Sequence, residues 1–182
     1  YGILTITPKI ASFFITELDQ KPTIKNIKTL TFNKDTKKKL QSSVHKSVGI
    51  NKEKITVAQL ARLKKLYSKA KFVDVSKPLE DLRLSKTKEE LALMKKACKI
   101  TSDAFNKLVE ELPKRTLKTE LDVAIFVENY FIRNEAQVAF PTIVAFGKNA
   151  ATPHHHTSST KLNRGFLLID FGAKYKNYCA DM

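Results

Sequence analysis

Two aspartates late in the sequence have the residue type and the spacing of metal ligands. Asp170 and Asp181 lie in the segment LLIDFGAKYKNYCAD, with ten residues between them. Apolar, β-favouring runs on either side of a short polar stretch predict two strands joined by a tight turn. A hairpin centred midway pairs Phe171 with Ala180 and places the two aspartates directly opposite each other. Carboxylates about 5 Å apart repel each other, and hard divalent cations prefer oxygen ligands, so the pair predicts a metal site.

Three consecutive histidines offer a second set of possible ligands, because imidazole binds transition metals. His154, His155 and His156 lie in a polar segment. Neighbouring side chains in an extended loop point to opposite sides, so all three cannot easily bind one ion. For His155 and His156 we therefore expect solvated or packed loop positions. His45, on a lysine-rich predicted helix, is expected to be exposed.

The elements that must position these residues begin near Thr87. Thr87 and Glu90 have capping-box spacing and start a long helix that continues to about Leu112, before Pro113. Thr119 starts a second helix. A strand over VAFPTIVAFG, a polar loop over GKNAATPHHHTSST and the aspartate hairpin follow, and this order predicts an α+β fold with an antiparallel sheet. The apolar face predicted for the first helix comprises Leu91, Met94, Ala97, Cys98, Thr101 and Phe105.

The first part of the chain has the pattern of a smaller mixed α/β unit. GILTI, FFITE, IKTLTF and FVDVS have strand-like patterns. We predict one helix over residues 35–47, a loop at VGINKEK, and a second helix over TVAQLARLKKLYSKA with Thr56 as its N-cap. The stretch SKPLEDLRLSKTKEEL is predicted to be a linker. The predicted domains are residues 1–78 and residues 79–182.

The composition is typical of a globular protein, with 42% hydrophobic and 28% charged residues. No apolar run is long enough for a membrane-spanning helix, so we predict none. The net charge of +15 comes mostly from lysines on helix faces without a nucleic-acid-binding motif, which favours a solvated surface over nucleic-acid binding. Cys98 and Cys179 have no CxxC partner and are expected to be buried free thiols in a reducing cytoplasm.

Four segments in order resemble the creatinase/prolidase superfamily of metallopeptidases, peptidase family M24: LEDLRLSKTKEEL, FPTIVAFGKNAATPHH, LLIDFGA and YCADM. This family includes Xaa-Pro dipeptidase, aminopeptidase P and methionine aminopeptidase. The resemblance covers residues 79–182, and residues 1–78 resemble more loosely the α/β N-terminal domain of the Xaa-Pro enzymes. It implies a shortened creatinase-type α/β domain followed by the first half of a pita-bread metallopeptidase domain.

The resemblance also implies a dinuclear metal site with five ligands: two aspartates, one histidine and two glutamates. By motif, Asp170 chelates one metal and Asp181 bridges both. The histidine and the two glutamates, one of them the general base, are expected beyond Met182. Mn or Co is the expected metal, with Zn as an alternative, and two such ions would activate a bridging water as hydroxide.

The same resemblance assigns a substrate-binding role to the first histidine of the triplet. His154 aligns with a family histidine that is not a ligand but hydrogen-bonds the scissile carbonyl or stabilises the tetrahedral intermediate. Phe140, Ile143 and Phe146 are candidates for an apolar pocket that binds a proline ring, although packing in a strand core explains these residues equally well.

The implied function is a metal-dependent exopeptidase that hydrolyses peptides with proline at the second position, because the N-terminal unit favours Xaa-Pro enzymes over methionine aminopeptidases. We expect the 182-residue chain alone to be inactive, and its partner to be a second copy in a homodimer or a complementary C-terminal chain. The alternative is a non-catalytic peptidase-like module that binds protein or RNA. The charge of +15 favours that alternative, and the presence of both aspartates disfavours it.

Overall fold

The computed structural model describes residues 2–7, 10–24, 26–36, 38 and 46–182. Contacts between residues divide the chain into two compact units, Tyr1–Leu84 and Ser85–Met182. The sequence places this division earlier, between residues 78 and 79. In the part of the chain that the structure describes, none of the helices combines the length and the apolarity that crossing a membrane requires.

The described residues of the first unit include two small sheets and two helices whose bounds are defined. In one sheet the strand order is β1-β2-β3, with β1 antiparallel and β3 parallel to β2. In the other sheet β4 and β5 are parallel. The elements are β1 (Gly2–Ile6), β2 (Ala11–Ile15), β3 (Ile27–Thr31), β4 (Ser47–Ile50), α1 (Val57–Leu66), β5 (Lys71–Asp74) and α2 (Ser76–Leu84).

The predicted strands of this unit are confirmed, and Thr56 caps α1 in a capping box with Gln59. Two predictions are wrong. The predicted loop VGINKEK begins with β4, because β5 supplies a parallel hydrogen-bonding partner that local sequence does not reveal. The predicted linker contains α2, whose first residue Ser76 donates both its N–H and its hydroxyl to the carboxylate of Asp74. The helix predicted over residues 35–47, with His45, falls largely outside the described residues.

The second unit packs two helices against short antiparallel strands, as predicted. β7 pairs with β8, and β9 lies between β6 and β10. Pro141 separates β6 from β7, so the single strand predicted over VAFPTIVAFG is two strands. The elements are α3 (Lys88–Glu111), a 3₁₀ turn (Leu112–Lys114), α4 (Glu120–Arg133), β6 (Gln137–Val138), β7 (Ile143–Phe146), a second 3₁₀ turn (Gly147–Ala151), β8 (Leu167–Asp170), β9 (Ala173–Tyr175) and β10 (Tyr178–Cys179).

Both long helices begin where the capping residues predict. Thr87 forms a capping box with Glu90 at the start of α3, and Thr119 forms one with Asp122 at the start of α4. Each box satisfies backbone N–H groups that the first turn of a helix leaves without partners. The helix starts are therefore fixed by local sequence.

The buried face of α3 is rotated relative to the prediction. Leu91, Cys98 and Phe105 are exposed. Small residues and one hydroxyl occupy the buried face because the aspartate hairpin packs closely there: Ala173 donates its N–H to Thr101 Oγ1 (3.0 Å). The buried residues of α3 are Ala97, Ile100, Thr101, Ala104 and Leu108.

The two cysteines are free thiols, as predicted, but both are exposed. The expectation that Cys98 and Cys179 are buried is therefore wrong. Cys98 lies beside the buried stripe of α3 rather than within it, because Ala97 and Thr101 occupy the contact with the hairpin.

The hydrophobic core of the second unit lies between the helices and one face of the strands. The rings of Phe131 and Phe171 stack with centroids 6.0 Å apart. In β8, Ile169 packs against this core, so Asp170, the next residue along the strand, points to the opposite face. The core residues include Leu108, Val123, Val127, Phe131, Val144, Phe171 and Ala173.

Candidate metal centre and substrate pocket

The aspartate hairpin has a register different from the predicted one. Tyr175 pairs with Tyr178, and Phe171 and Met182 exchange backbone hydrogen bonds of 3.0 and 3.1 Å. The predicted pairing of Phe171 with Ala180 is therefore wrong. The turn consists of Lys176 and Asn177, both with positive φ. Asparagine adopts this conformation more readily than Tyr175, which a turn centred one residue earlier would place there.

This register places both aspartates on one face of the hairpin without setting them directly opposite each other. Asp181 lies opposite Gly172, two residues beyond Asp170. Side chains in this diagonal relation are about 7–8 Å apart. Ala173 and Ala180 are buried, so the neighbouring aspartates point away from the core. The expectation that the two carboxylates face each other is wrong, but they share a surface on which Asp170 is half-buried and Asp181 exposed.

Gly172 is required by the close approach of the two strands. A Cβ atom at this position would overlap the carbonyl oxygen of Ala180 and lie 3.2 Å from the ring of Phe140. Backbone packing thus explains the glycine.

Two of the three residues expected to bind substrate, Phe140 and Ile143, lie beside this surface. Ile143 is the direct cross-strand partner of Asp170 in the pair of β7 and β8, so the two side chains are on the same face. Phe140 lies against Gly172, and Ala139 donates its N–H to the carbonyl of Gly172 (2.8 Å). Phe140 and Ile143 are both half-buried. The structure therefore brings an apolar side chain next to each end of the aspartate pair.

His154 lies in the segment 147–158, which connects β7 towards β8 and which we call the histidine loop. It is exposed and has a positive φ of 53°. Nearby, Thr157 Oγ1 accepts from Val144 N–H (2.8 Å) and donates to the carbonyl of Thr142 (2.9 Å). These bonds tie the end of the histidine loop to the residues on both sides of Ile143.

One buried carboxylate was not singled out by sequence reasoning. Glu120, the first residue of α4, has an exposed fraction of 0%. Its Oε1 accepts from Phe146 N–H and Asn149 Nδ2, both at 2.8 Å. Its Oε2 accepts from His155 Nε2 (3.0 Å), Ser158 N–H (3.1 Å) and Ser158 Oγ (2.8 Å). The only sequence signal was an acidic residue in the first turn of a helix, which ordinarily stays at the surface.

The acidity of Glu120 follows from these donors. Burial alone would raise the pKa of its carboxyl group. The hydrogen bonds from Asn149, His155, Phe146 and Ser158 outweigh burial and lower the pKa from the ordinary 4.5 to about 2. The carboxylate is therefore charged at neutral pH and holds its donors through charge-assisted hydrogen bonds.

Acid is expected to weaken the second unit through this group. Because the folded pKa is lowered, the stabilisation is present above pH 4.5 and is lost as the pH falls towards 2, with a total of about 3 kcal/mol. Urea unfolding followed by hydrogen exchange of α4 should therefore show stability falling over this range. In Glu120→Gln the fall should be smaller by that amount, and an equal fall in both proteins would contradict the assignment.

The donor chemistry of the hairpin surface fits a hard divalent cation. Asp170 and Asp181 offer four carboxylate oxygens on one face, the ligand type that Mn²⁺ and similar ions accept. Among the described residues, no three His, Cys, Asp or Glu side chains form a group that could hold a metal ion. The two aspartates thus fit as part of a metal site and do not complete one.

The fold and this surface together define the class, a metallopeptidase-type domain preceded by a creatinase/prolidase-type domain. The family model of the creatinase/prolidase N-terminal domain matches residues 14–85. The model of metallopeptidase family M24 matches residues 92–182. The chain belongs to metallopeptidase family M24, and the resemblance inferred from the sequence is confirmed.

Individual relatives agree with the family models. The chain is 32% identical over 186 residues to an Xaa-Pro dipeptidase of Pyrococcus horikoshii, a match that covers 100% of this chain and 52% of the relative. It is 39% identical over 113 residues to an Xaa-Pro dipeptidase of Pyrococcus furiosus, covering 61% of this chain and 32% of the relative.

Solved structures show the same fold. The chain matches the X-Pro aminopeptidase of Thermotoga maritima with a TM-score of 0.85 at 27% identity, over 100% of this chain and 53% of that one. It matches the prolidase of Pyrococcus horikoshii with a TM-score of 0.83 at 31% identity, over 99% and 52%. The predicted fold is confirmed: a creatinase-type domain and the first part of a pita-bread domain. The chain spans about half the length of these structures.

Proposed function

We propose that this chain carries part of the active site of a metal-dependent exopeptidase that hydrolyses peptides with proline at the second position. One observation supports this most strongly: Asp170 and Asp181 share a face of the hairpin, and Ile143 and Phe140 lie beside them. The relatives named as Xaa-Pro dipeptidase and X-Pro aminopeptidase point to the same substrate class.

Asp170 and Asp181 would hold two divalent metal ions, with Mn or Co expected and Zn as the alternative. When bound, such ions polarise a carbonyl group and lower the pKa of a water molecule towards neutrality. Asp181 faces Gly172, which has no side chain, whereas Asp170 faces Ile143 across the pair of β7 and β8. Asp170 is the more buried of the two, so it is the less mobile ligand.

The remaining residues would bind and orient the peptide. Ile143 and Phe140 are half-buried apolar side chains next to the aspartates, and burial of a proline ring against them supplies affinity without requiring charge. His154 is exposed on the histidine loop, whose end is tied to Thr142 and Val144. From there it would donate a hydrogen bond to the scissile carbonyl as negative charge develops on the oxygen.

A partner is expected to cover part of the second unit, either a second copy of the chain or a complementary chain that supplies further ligands. Apolar side chains on one side of α4 are exposed, and so are one residue just before β8 and one after β10. Exposed apolar groups that lie close together favour association. These residues are Leu121, Ile125, Ile132, Phe166 and Met182.

The exposed thiols bear on the cellular compartment. Cys98 and Cys179 are both free and exposed, and exposed thiols persist where glutathione and thioredoxin keep them reduced. We therefore infer a cytoplasmic location.

Two aspartates are expected to be too few for catalysis. The 182-residue chain with Mn²⁺ or Co²⁺ should not measurably hydrolyse Gly-Pro or Ala-Pro in a proline-release assay. Adding a polypeptide that supplies one histidine and two glutamates from a longer relative should produce turnover, which should vanish in Asp181→Asn. Robust hydrolysis by the 182-residue chain alone would contradict this account of the ligand set.

A further inference from the structure

The carboxylate of Glu120 joins the two ends of the histidine loop. Oε1 accepts from Phe146 and Asn149, where the loop begins. Oε2 accepts from His155 and Ser158, where the loop ends. The backbone continues the connection, because Leu121 N–H donates to the carbonyl of Ser158 (3.0 Å). One buried carboxylate therefore connects the two ends of the loop, in addition to the bonds of Thr157 to Val144 and Thr142.

Within the loop, regular structure is limited to the 3₁₀ turn Gly147–Ala151. Apart from the bonds of Thr157 to Val144 and Thr142, the hydrogen bonds of its side chains converge on Glu120 and on neighbouring hydroxyls. Asn149 Nδ2 also donates to Thr160 Oγ1 (3.2 Å), and Ser158 Oγ lies 2.8 Å from Thr160 Oγ1. Hydrogen bonds to a buried charged acceptor are stronger than those between neutral groups. The shape of the loop therefore depends on the charge of one side chain.

His155 is the member of this network that is adjacent in sequence to His154. A carboxylate has no hydrogen to give, so the Nε2 of His155 carries the hydrogen that bonds to Glu120 Oε2. This bond fixes the ring of His155 and the backbone next to His154. His154 itself is held with φ of 53°, a conformation that costs a non-glycine residue energy and that persists where its surroundings impose it.

We propose that Glu120 is a positioning residue for the peptidase reaction: it holds the histidine loop so that His154 is presented to the surface of Asp170 and Asp181. This proposal rests on the proposed function, because it assumes that the aspartates bind metal. It assigns a role to a side chain that contacts neither the metal nor the peptide. It also explains why the carboxylate is buried at the start of α4, because an exposed carboxylate would interact equally well with the dipole of the helix.

The test uses paramagnetic relaxation by Mn²⁺ in the isotope-labelled 182-residue chain, together with amide hydrogen exchange. In the unmodified protein, Mn²⁺ should broaden the amide signal of Gly172 and the ring signals of His154. In Glu120→Gln, the broadening at His154 should be lost while that at Gly172 persists. Glutamine has one acceptor oxygen in place of two, so exchange of the Phe146 or Ser158 amide should accelerate about tenfold.

Glu128→Gln is the matched control, because Glu128 is a half-buried glutamate on the same helix. This substitution should leave the broadening of Gly172 and of His154 unchanged. Broadening of His154 that is the same in Glu120→Gln as in the unmodified protein would overturn the proposal. If Glu120→Gln does not fold, Ser158→Ala removes one donor only. It should produce a smaller change in the same direction, and no change in Ser158→Ala would also overturn the proposal.

The same signals test the metal site and the positioning role of Glu120 separately. If Mn²⁺ broadens neither Gly172 nor His154 in the unmodified protein, the proposed metal site is wrong, and with it the role of Glu120 in presenting His154 to that site. If Gly172 is broadened and His154 is not, the metal site stands and the positioning role of Glu120 is wrong.

Discussion

The substitution Gly172→Ala is expected to destabilise the second unit by about 3 kcal/mol or more. A Cβ atom at position 172 would overlap the carbonyl oxygen of Ala180, a backbone atom that cannot rotate away. Relief requires the two strands of the hairpin to separate, which would also move Asp181 away from Asp170. Urea unfolding followed by hydrogen exchange of α3 and α4 measures the loss.

Gly147→Ala is the control for this substitution. Gly147 has a positive φ of 59°, but a Cβ atom there would have no neighbour within 4 Å. Alanine at position 147 should therefore cost only backbone strain, about 1 kcal/mol. Equal destabilisation by the two substitutions would show that the hairpin strands do not approach each other as closely as the structure has them.

Asp170→Asn and Asp181→Asn are each expected to weaken the binding of Mn²⁺ by about tenfold or more, because each replaces a charged oxygen ligand by a neutral amide. The double substitution should abolish binding at the hairpin. Neither single change should unfold the protein, since both side chains point away from the core. Titration of Mn²⁺ followed by electron paramagnetic resonance measures the free ion directly.

Asp103→Asn serves as the control for charge, because Asp103 lies on α3 and pairs with Lys99 at the surface. It should leave the affinity for Mn²⁺ unchanged. An affinity that is unaltered in the double aspartate variant would mean that the metal binds elsewhere, and the histidine triplet would then be the first alternative to examine.

Local sequence predicted most of the elements of this chain because their determinants are local. Thr56, Thr87 and Thr119 each cap a helix, and a cap depends on residues only three positions apart. The missed strand β4 depends instead on β5, more than twenty residues later. The rotated face of α3 likewise depends on the distant Ala173, which donates to Thr101.

The hairpin that carries Asp170 and Asp181 was predictable from the sequence, and its register was not. Asp170, Asp181, Phe140 and Ile143 could be chosen from residue type and motif. The register could not be chosen in this way, since shifting the turn by one residue changes the partner of Asp181 from Asp170 to Gly172. The burial of Glu120 could not be predicted from local sequence. Its five hydrogen-bond donors belong to residues 26 to 38 positions away, and only the folded loop brings these donors together.

The central claim is that Asp170 and Asp181 bind divalent metal on one face of the hairpin, and an anomalous difference map from crystals grown in Mn²⁺ tests it most directly. Density is expected within coordination distance of both carboxylates, on the side of Ile143. Density at the histidine triplet with none at the aspartates, in crystals where the hairpin is ordered, would contradict it.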